Sequence, residues 1–356
     1  MKWRKSPGEV YSLAFIRVNN PGMYTTVQDL GRKDYEQYGM PVSGSMDQYA
    51  HRVANLLVGN KESEAVFEMT ILGATYTFEE DTVISITGAN MMPMLNNKTQ
   101  VGMWRSILIC KGDTIKFNGA KSGCRCYLAI AGGIDVPKVM GSKSTYVRAQ
   151  IGGFEGRPIK KEDMIAISES ELVQLNGRFI NSKYIPKYDK KIELRVVLGP
   201  QDDAFTKNGI EIFFNSIYKV SNEFDRMGYR LEGKKIEHEK PADIISDGIV
   251  KGAIQIPGHG NPIIMLSDCQ TTGGYTKIAH VISSDLWKIA QAKSGDEIRF
   301  KSIDVYESHE IFKKQEQSIE EIKLQFGLMK LEKDKNLKLM INNKSFTVKI
   351  NEIKTL

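Results

Sequence analysis

The chain has 356 residues, 41% of them hydrophobic and 26% charged, and its 49 Lys and Arg against 43 Asp and Glu give a formal charge of +6. That length is enough for two cores of ordinary size, and the balance excludes a disordered chain. No apolar run approaches the ~20 residues that span a bilayer, and the densest basic stretch, 313–354, is interleaved with Glu316, Glu320, Glu321 and Glu332, unlike the one-sided charge of a nucleic-acid binder.

The start of the chain is basic, and residues 6–10 are not an apolar signal core, so no secretory peptide is expected. Cys110, Cys124, Cys126 and Cys269 are too few for a disulfide framework in a chain this long. A cytoplasmic, reduced protein is expected.

The first informative segment is Thr26-Val-Gln-Asp-Leu-Gly-Arg32, followed by Tyr38-Gly-Met-Pro-Val-Ser-Gly-Ser-Met-Asp47. Such a loop places polar side chains and backbone N–H groups around a small polar ligand. The plainer reading makes it a connection, with Asp47 capping the helix that follows. That helix is expected over 47–57, where Tyr49, Val53, Leu56 and Leu57 share a face. Strands are expected at 82–87, 106–110, 114–117 and 126–131, which are short, β-branched or apolar, and bounded by Gly or Asp. On a strand, Cys124 and Cys126 point to one face. The polar stretch 181–191, with Pro186, marks a boundary.

Strands resume at 192–198, 253–256, 263–266 and 297–300. Between them lies Ser221-Asn-Glu-Phe-Asp-Arg-Met-Gly-Tyr-Arg230, in which Asp225 and Arg226 address one ligand only if the chain turns there; the plainer reading is an exposed turn closed by Gly228. Gln255-Ile-Pro-Gly-His259-Gly reads as a tight turn, with His259 a possible acid or base. The most unusual segment is Ser267-Asp-Cys-Gln-Thr-Thr-Gly-Gly-Tyr275, reached directly from an apolar strand. Gln270, Thr271 and Thr272 both donate and accept, which suits an amide or ureido group. Gly273 and Gly274 permit positive φ and close approach of a ligand. A structural turn whose polar groups satisfy its own backbone is the alternative.

Short helical periods follow at 286–292 and about 309–326, and two alternating runs around Asn342-Asn343 read as a hairpin. Lys111-Gly-Asp-Thr-Ile-Lys-Phe117 and Ser294-Gly-Asp-Glu-Ile-Arg-Phe300 share a Gly-Asp turn entering a strand, which favours two similar β domains. The sequence has neither a P-loop pattern nor a Gly-x-Ser-x-Gly elbow. Its five histidines lack metal-ligand spacing, and Cys124 and Cys126 have no second pair, so no metal site is expected.

Taken in order, Val27-Gln-Asp-Leu-Gly-Arg32, Gly39-Met-Pro-Val-Ser-Gly-Ser-Met-Asp47, Ala131-Gly-Gly-Ile-Asp135, Leu198-Gly-Pro-Gln201, Ser221–Arg230, Ala253-Ile-Gln-Ile-Pro257 and Gln270-Thr-Thr-Gly-Gly-Tyr275 resemble the family called allophanate hydrolase subunit 2, KipA-like or PxpC. The resemblance spans roughly 18–300. It departs at Cys269, where the family frequently carries Arg. It implies a mainly β fold of two cyclophilin-like β-barrel domains with a few short helices, over 15–185 and 190–305; the helix and hairpin read from the residues over 306–356 form an appended tail outside the resemblance. It also implies a KipI-like B subunit as partner, with a possible A subunit, and a lactam or urea-like substrate.

Three roles fit the resemblance. The first is the C subunit of ATP-dependent 5-oxoprolinase, which opens 5-oxoproline to glutamate; ATP acts at the level of the complex, and the chain is inactive alone. The second is a biotin-dependent carboxyltransferase component for a urea-like substrate. No Ala-Met-Lys-Met signature is present, so biotin would not be attached to this chain. The third is a KipA-type antagonist of a KipI-like kinase inhibitor. Candidate catalytic residues are Asp47, Asp225 and Asp268. Candidate substrate-binding residues are Gln28, Arg226, Gln255, Gln270, Thr271, Thr272, Gly273 and Gly274.

Overall fold

The computed structural model describes residues 14–168, 175–327, 329–341 and 344–355. The chain is mainly β, and each strand expected above is found, within a residue or a few at its ends.

Residues up to 167 build two sheets. One has six strands in the order Met164–Ile167, Ala14–Asn20, Thr75–Phe78, Thr114–Lys116, Met94–Leu95 and Thr99–Gln100. The other has five, in the order Tyr24–Gln28, Val66–Thr70, Ser122–Ile130, Thr82–Asn90 and Ser106–Ile109. Alternate residues of each face a shared core that includes Ile16, Val18, Phe67, Tyr76, Ile84, Ile86 and Leu128. Helix α1, Gln48–Leu57, lies on the other face of the five-stranded sheet and packs Ala50, Val53, Ala54 and Leu57 with Val83, Tyr127 and Ala129. Ser85 and Thr87 donate from that sheet to the Ala54 and Ala50 carbonyls, at 2.6 and 2.7 Å, fixing the helix against it.

Residues 191–302 close a seven-stranded barrel in the order Lys191–Leu198, Lys277–Val281, Ala253–Gln255, Ile263–Met265, Gly228–Glu232, Tyr218–Phe224 and Glu297–Ser302. Closure leaves no free sheet edge there. Leu194, Val196, Phe213, Leu231, Ile254, Ile264 and Ile298 fill it, together with Met46 from the loop before α1. Helices α2 (Lys207–Asn215) and α3 (Leu286–Ala290) are short. Outside the barrel, Asp243–Gly248 and Thr272–Tyr275 pair as a separate two-stranded ribbon. Helix α4, Val305–Gln325, packs against α1, and a hairpin of Met329–Ile341 with Lys344–Thr355 follows. The turn expected at Asn342-Asn343 lies outside the described residues.

The Gly-Asp repeat is structural. Gly112 and Gly295 have φ of 87° and 86°, and the Asp113 and Asp296 carboxylates accept from the backbone N–H three residues upstream, at 2.9 and 3.0 Å. A third copy occurs at Asp163, which accepts from Lys160 N–H at 2.7 Å, with Glu162 at φ 69° in the glycine position. Sequence comparison passes over it because Glu replaces Gly.

Candidate functional site

The loop from Asp29 to Asp47 joins the two-sheet part to the barrel. Gly31 and Gly44 have φ of 96° and 81°, and a Cβ on either would meet backbone atoms within 2.7 Å, so two stretches of this loop run in direct contact. Ser43 N–H donates to the Ser267 carbonyl at 2.8 Å, which ties the loop to the end of a barrel strand.

Under this loop lies a buried charged network. Arg226 is 5% exposed; its Nε and Nη2 donate to the two carboxylate oxygens of Asp268 at 2.9 and 3.0 Å, and Nη2 also donates to the Gly44 carbonyl at 2.7 Å. Its Nη1 bonds Glu68 on the five-stranded sheet. Glu68 also accepts from Met46 N–H at 2.7 Å and from the Tyr127 hydroxyl at 2.9 Å. Burial works to raise the Glu68 pKa, but the Arg226 and Arg125 guanidiniums hold it below its ordinary value. Arg125 in turn bonds the Tyr229 hydroxyl and the Ala290 carbonyl of the barrel side.

Asp47 caps α1, accepting from Ala50 N–H at 2.9 Å. Its other carboxylate oxygen accepts from Gln291 Nε2 at 2.8 Å and from the Tyr188 hydroxyl at 3.3 Å. Burial pushes its pKa up to about 6, against the opposing pull of those bonds. Gln291 Oε1 accepts from Cys124 and Arg125 N–H, so this one side chain joins barrel, sheet and helix. Lys251 lies close by and donates to the Ser45 and Met46 carbonyls at 3.3 and 3.2 Å. Burial, with Arg226 next, lowers its pKa to about 8.

The structure therefore brings Asp47, Arg226 and Asp268 to one region and separates the other expected residues from it. Asp225 is exposed; its carboxylate accepts from Met227 and Gly228 N–H at 2.7 and 3.1 Å, holding the turn, while Arg226 points inward. Gln28 is buried in the two-sheet part, bonded to Thr26 and the Thr145 carbonyl, with Oε1 unpartnered among the described residues. Gln255 is buried and donates to the Tyr275 carbonyl at 3.3 Å. Exposed His259 accepts from Asn261 N–H within its own turn.

Gln270 and Thr272 are exposed and Thr271 half-buried; none has a side-chain hydrogen bond among the described residues. The expectation of positive φ at Gly273 and Gly274 is corrected, since both lie in or beside extended ribbon backbone and neither has positive φ. Gly273 serves close packing instead: a Cβ there would lie 2.3 Å from Ile249 Cδ1 and 2.8 Å from Gln255 Nε2.

Sequence reasoning missed Glu68, Arg125, Tyr127, Lys251 and Gln291. Each sits in a strand, helix end or turn of ordinary composition. Only Glu68 carried a signal, as a lone acid in the apolar run Ala65-Val-Phe-Glu-Met69. Among the described residues no cluster of His, Cys, Asp and Glu could hold a metal ion, and no helix is long and apolar enough to cross a membrane.

Residues 38–302 match the carboxyltransferase domain, subdomain A and B. The chain belongs to that family. It is 34% identical to the 5-oxoprolinase C subunit of Escherichia coli over 307 residues, covering 86% of this chain and 97% of that protein. It is also 34% identical to urea amidolyase of Lachancea kluyveri over 331 residues, covering 87% of this chain and 18% of that protein. The crystal structure of the K. lactis urea amidolyase superposes with a TM-score of 0.83 at 32% identity, over 88% of this chain and 20% of that one. In this carboxyltransferase-family chain the buried network ties the two-sheet part to the barrel, and the Gln270, Thr271 and Thr272 side chains make no hydrogen bond to it among the described residues.

Proposed function

We propose that the chain is the C subunit of an ATP-dependent 5-oxoprolinase, opening 5-oxoproline to glutamate together with A and B subunits. The observation that carries this reading is the end-to-end match: 97% of the Escherichia coli 5-oxoprolinase C subunit is covered, against 18% of the Lachancea urea amidolyase. A lactam amide is a poor electrophile, so its opening is coupled to ATP at the level of the complex. The B subunit is a KipI-like chain. Gln270, Thr271 and Thr272 supply hydrogen-bond groups for the substrate amide, and a partner chain completes the site around them. The buried network of Arg226, Asp268, Glu68 and Asp47 holds the loop geometry behind them. By itself the chain has no turnover.

A second reading, a carboxyltransferase component that receives a carboxyl group from biotin carried on another protein, is favoured by the TM-score of 0.83 to a urea amidolyase. Two reconstitutions test them: ATP-dependent glutamate release from 5-oxoproline with the A and B subunits supports the first, and carboxylation of urea with a biotin carboxylase and a biotin-carrier protein added supports the second.

A further inference from the structure

A second polar region is lined by none of Gln270, Thr271 and Thr272. Helices α1, α3 and α4 enclose a cavity of about 150 Å³ lined by Met46, Tyr49, Lys251, Trp287, Phe312 and Gln315, among others. Two cations face it. Arg52 is neutralised, pairing with Glu62 at 2.6 Å and with both oxygens of Glu316 at 2.5 and 2.7 Å. Lys251 is not. Its ammonium meets only two backbone carbonyls, and no carboxylate lies within ion-pair distance of it among the described residues.

The nearest acids are already committed. Glu68 is bonded to Arg226, Met46 and Tyr127, and Asp47 to Ala50, Gln291 and Tyr188. An ammonium in a part-buried cleft without a counterion is a standing demand for an anion. Trp287 and Phe312 offer apolar faces beside it, and Gln315 and Ser283 offer amide and hydroxyl groups with no side-chain partner among the described residues. Phe312 and Gln315 belong to α4, which begins at Val305, beyond the matched residues 38–302. Glu316 with Arg52, and Lys323 with Glu62, pin that wall in place.

We propose that this cleft binds a small cyclic carboxylate, with Lys251 holding the carboxylate and Trp287 and Phe312 packing on the ring. That the ligand is 5-oxoproline rests on the reading given above, and this cleft is then a second binding place besides the Gln270–Thr272 segment; carboxylate binding does not rest on that reading.

The test is calorimetric titration of the purified full-length chain, without ATP or other subunits, using 5-oxoproline, cyclopentanecarboxylate and pyrrolidin-2-one. Both carboxylates are expected to bind saturably and to compete, and the neutral lactam to bind about ten-fold or more weakly. Lys251→Met, checked by its melting temperature, should weaken carboxylate binding about ten-fold or more, and Lys251→Arg should retain it. Phe312→Ala, on the surface of α4, should weaken both carboxylates without unfolding the chain. Saturable binding of cyclopentanecarboxylate alone keeps the site and overturns 5-oxoproline as its ligand. No saturable binding of either carboxylate, or equal binding by wild type and a folded Lys251→Met, overturns the proposal. These readouts are independent of turnover, so failure of the reconstituted enzyme leaves them intact.

Discussion

Arg226 of the barrel side and Glu68 of the five-stranded sheet form a buried ion pair that joins two parts of the chain 158 residues apart, with 5% and 1% of their surfaces exposed. Asp268 and the Gly44 carbonyl take the remaining guanidinium donors that are placed. Removing the cation strips Asp268 of its guanidinium and leaves buried Glu68 with only the more distant Arg125, Met46 N–H and the Tyr127 hydroxyl. Arg226→Met is therefore expected to destabilise the chain by about 3–5 kcal/mol. Urea denaturation measures this, and a loss below about 1 kcal/mol would show that the junction does not depend on the pair.

The two glycines of the ribbon should differ. Gly273→Ala pushes its new methyl into Ile249 and the Gln255 amide, an overpacking expected to cost about 1–3 kcal/mol. At Gly274 the nearest atom to a new Cβ is the Ile244 carbonyl oxygen at 3.3 Å, so Gly274→Ala should be milder. Melting temperatures of the two variants decide; a more harmful change at Gly274 would contradict the packing described.

Asp47 gives a pH dependence of defined sign. Its folded pKa, about 6, lies above its ordinary value of 3.8, so the folded state binds the extra proton. Its contribution to stability is complete below about pH 4 and is lost as pH rises through about 6. Asp47→Asn cannot ionise and loses this slope, at a constant cost from the mispaired Gln291 amide. Relative to wild type, the variant should gain on the order of 1–3 kcal/mol between pH 4 and pH 7. Parallel stability curves across that range would show that Asp47 does not titrate there.

Asp225 and the Gln270–Thr272 segment should separate structure from activity. Asp225→Ala removes a turn acceptor and should cost about 1 kcal/mol of stability, with activity per folded molecule unchanged. Gln270→Ala and Thr272→Ala alter exposed side chains without hydrogen-bond partners among the described residues, so melting temperatures should hold while activity of the reconstituted complex falls, by roughly 5- to 150-fold. The reverse pattern would assign the segment to structure and Asp225 to the reaction.

Much of the architecture was legible in the sequence because strands and Gly-Asp turns carry local signals. The β-branched run that opens Thr82–Asn90 and the apolar run of Ile263–Met265 are visible without neighbours, and so is the plainer reading of Asp47 as a cap. The third Gly-Asp-type turn was hidden because Glu162 adopts the left-handed conformation that the other copies give to Gly. The buried network was hidden for a different reason. Glu68, Arg125, Arg226 and Gln291 meet only after the barrel docks on the sheets, and no spacing along the chain encodes that meeting. Asp225 and Arg226 show the limit sharply, because adjacent residues in one motif serve an exposed turn and a buried bridge.

The 5-oxoprolinase assignment is tested most directly by the ATP-dependent release of glutamate from 5-oxoproline, measured for the chain alone and for the chain reconstituted with its A and B subunits. Turnover is expected only from the complete complex, and it should disappear when this chain is omitted. A complete, assembled complex that releases no glutamate, or one whose activity is unchanged without this chain, would contradict the assignment.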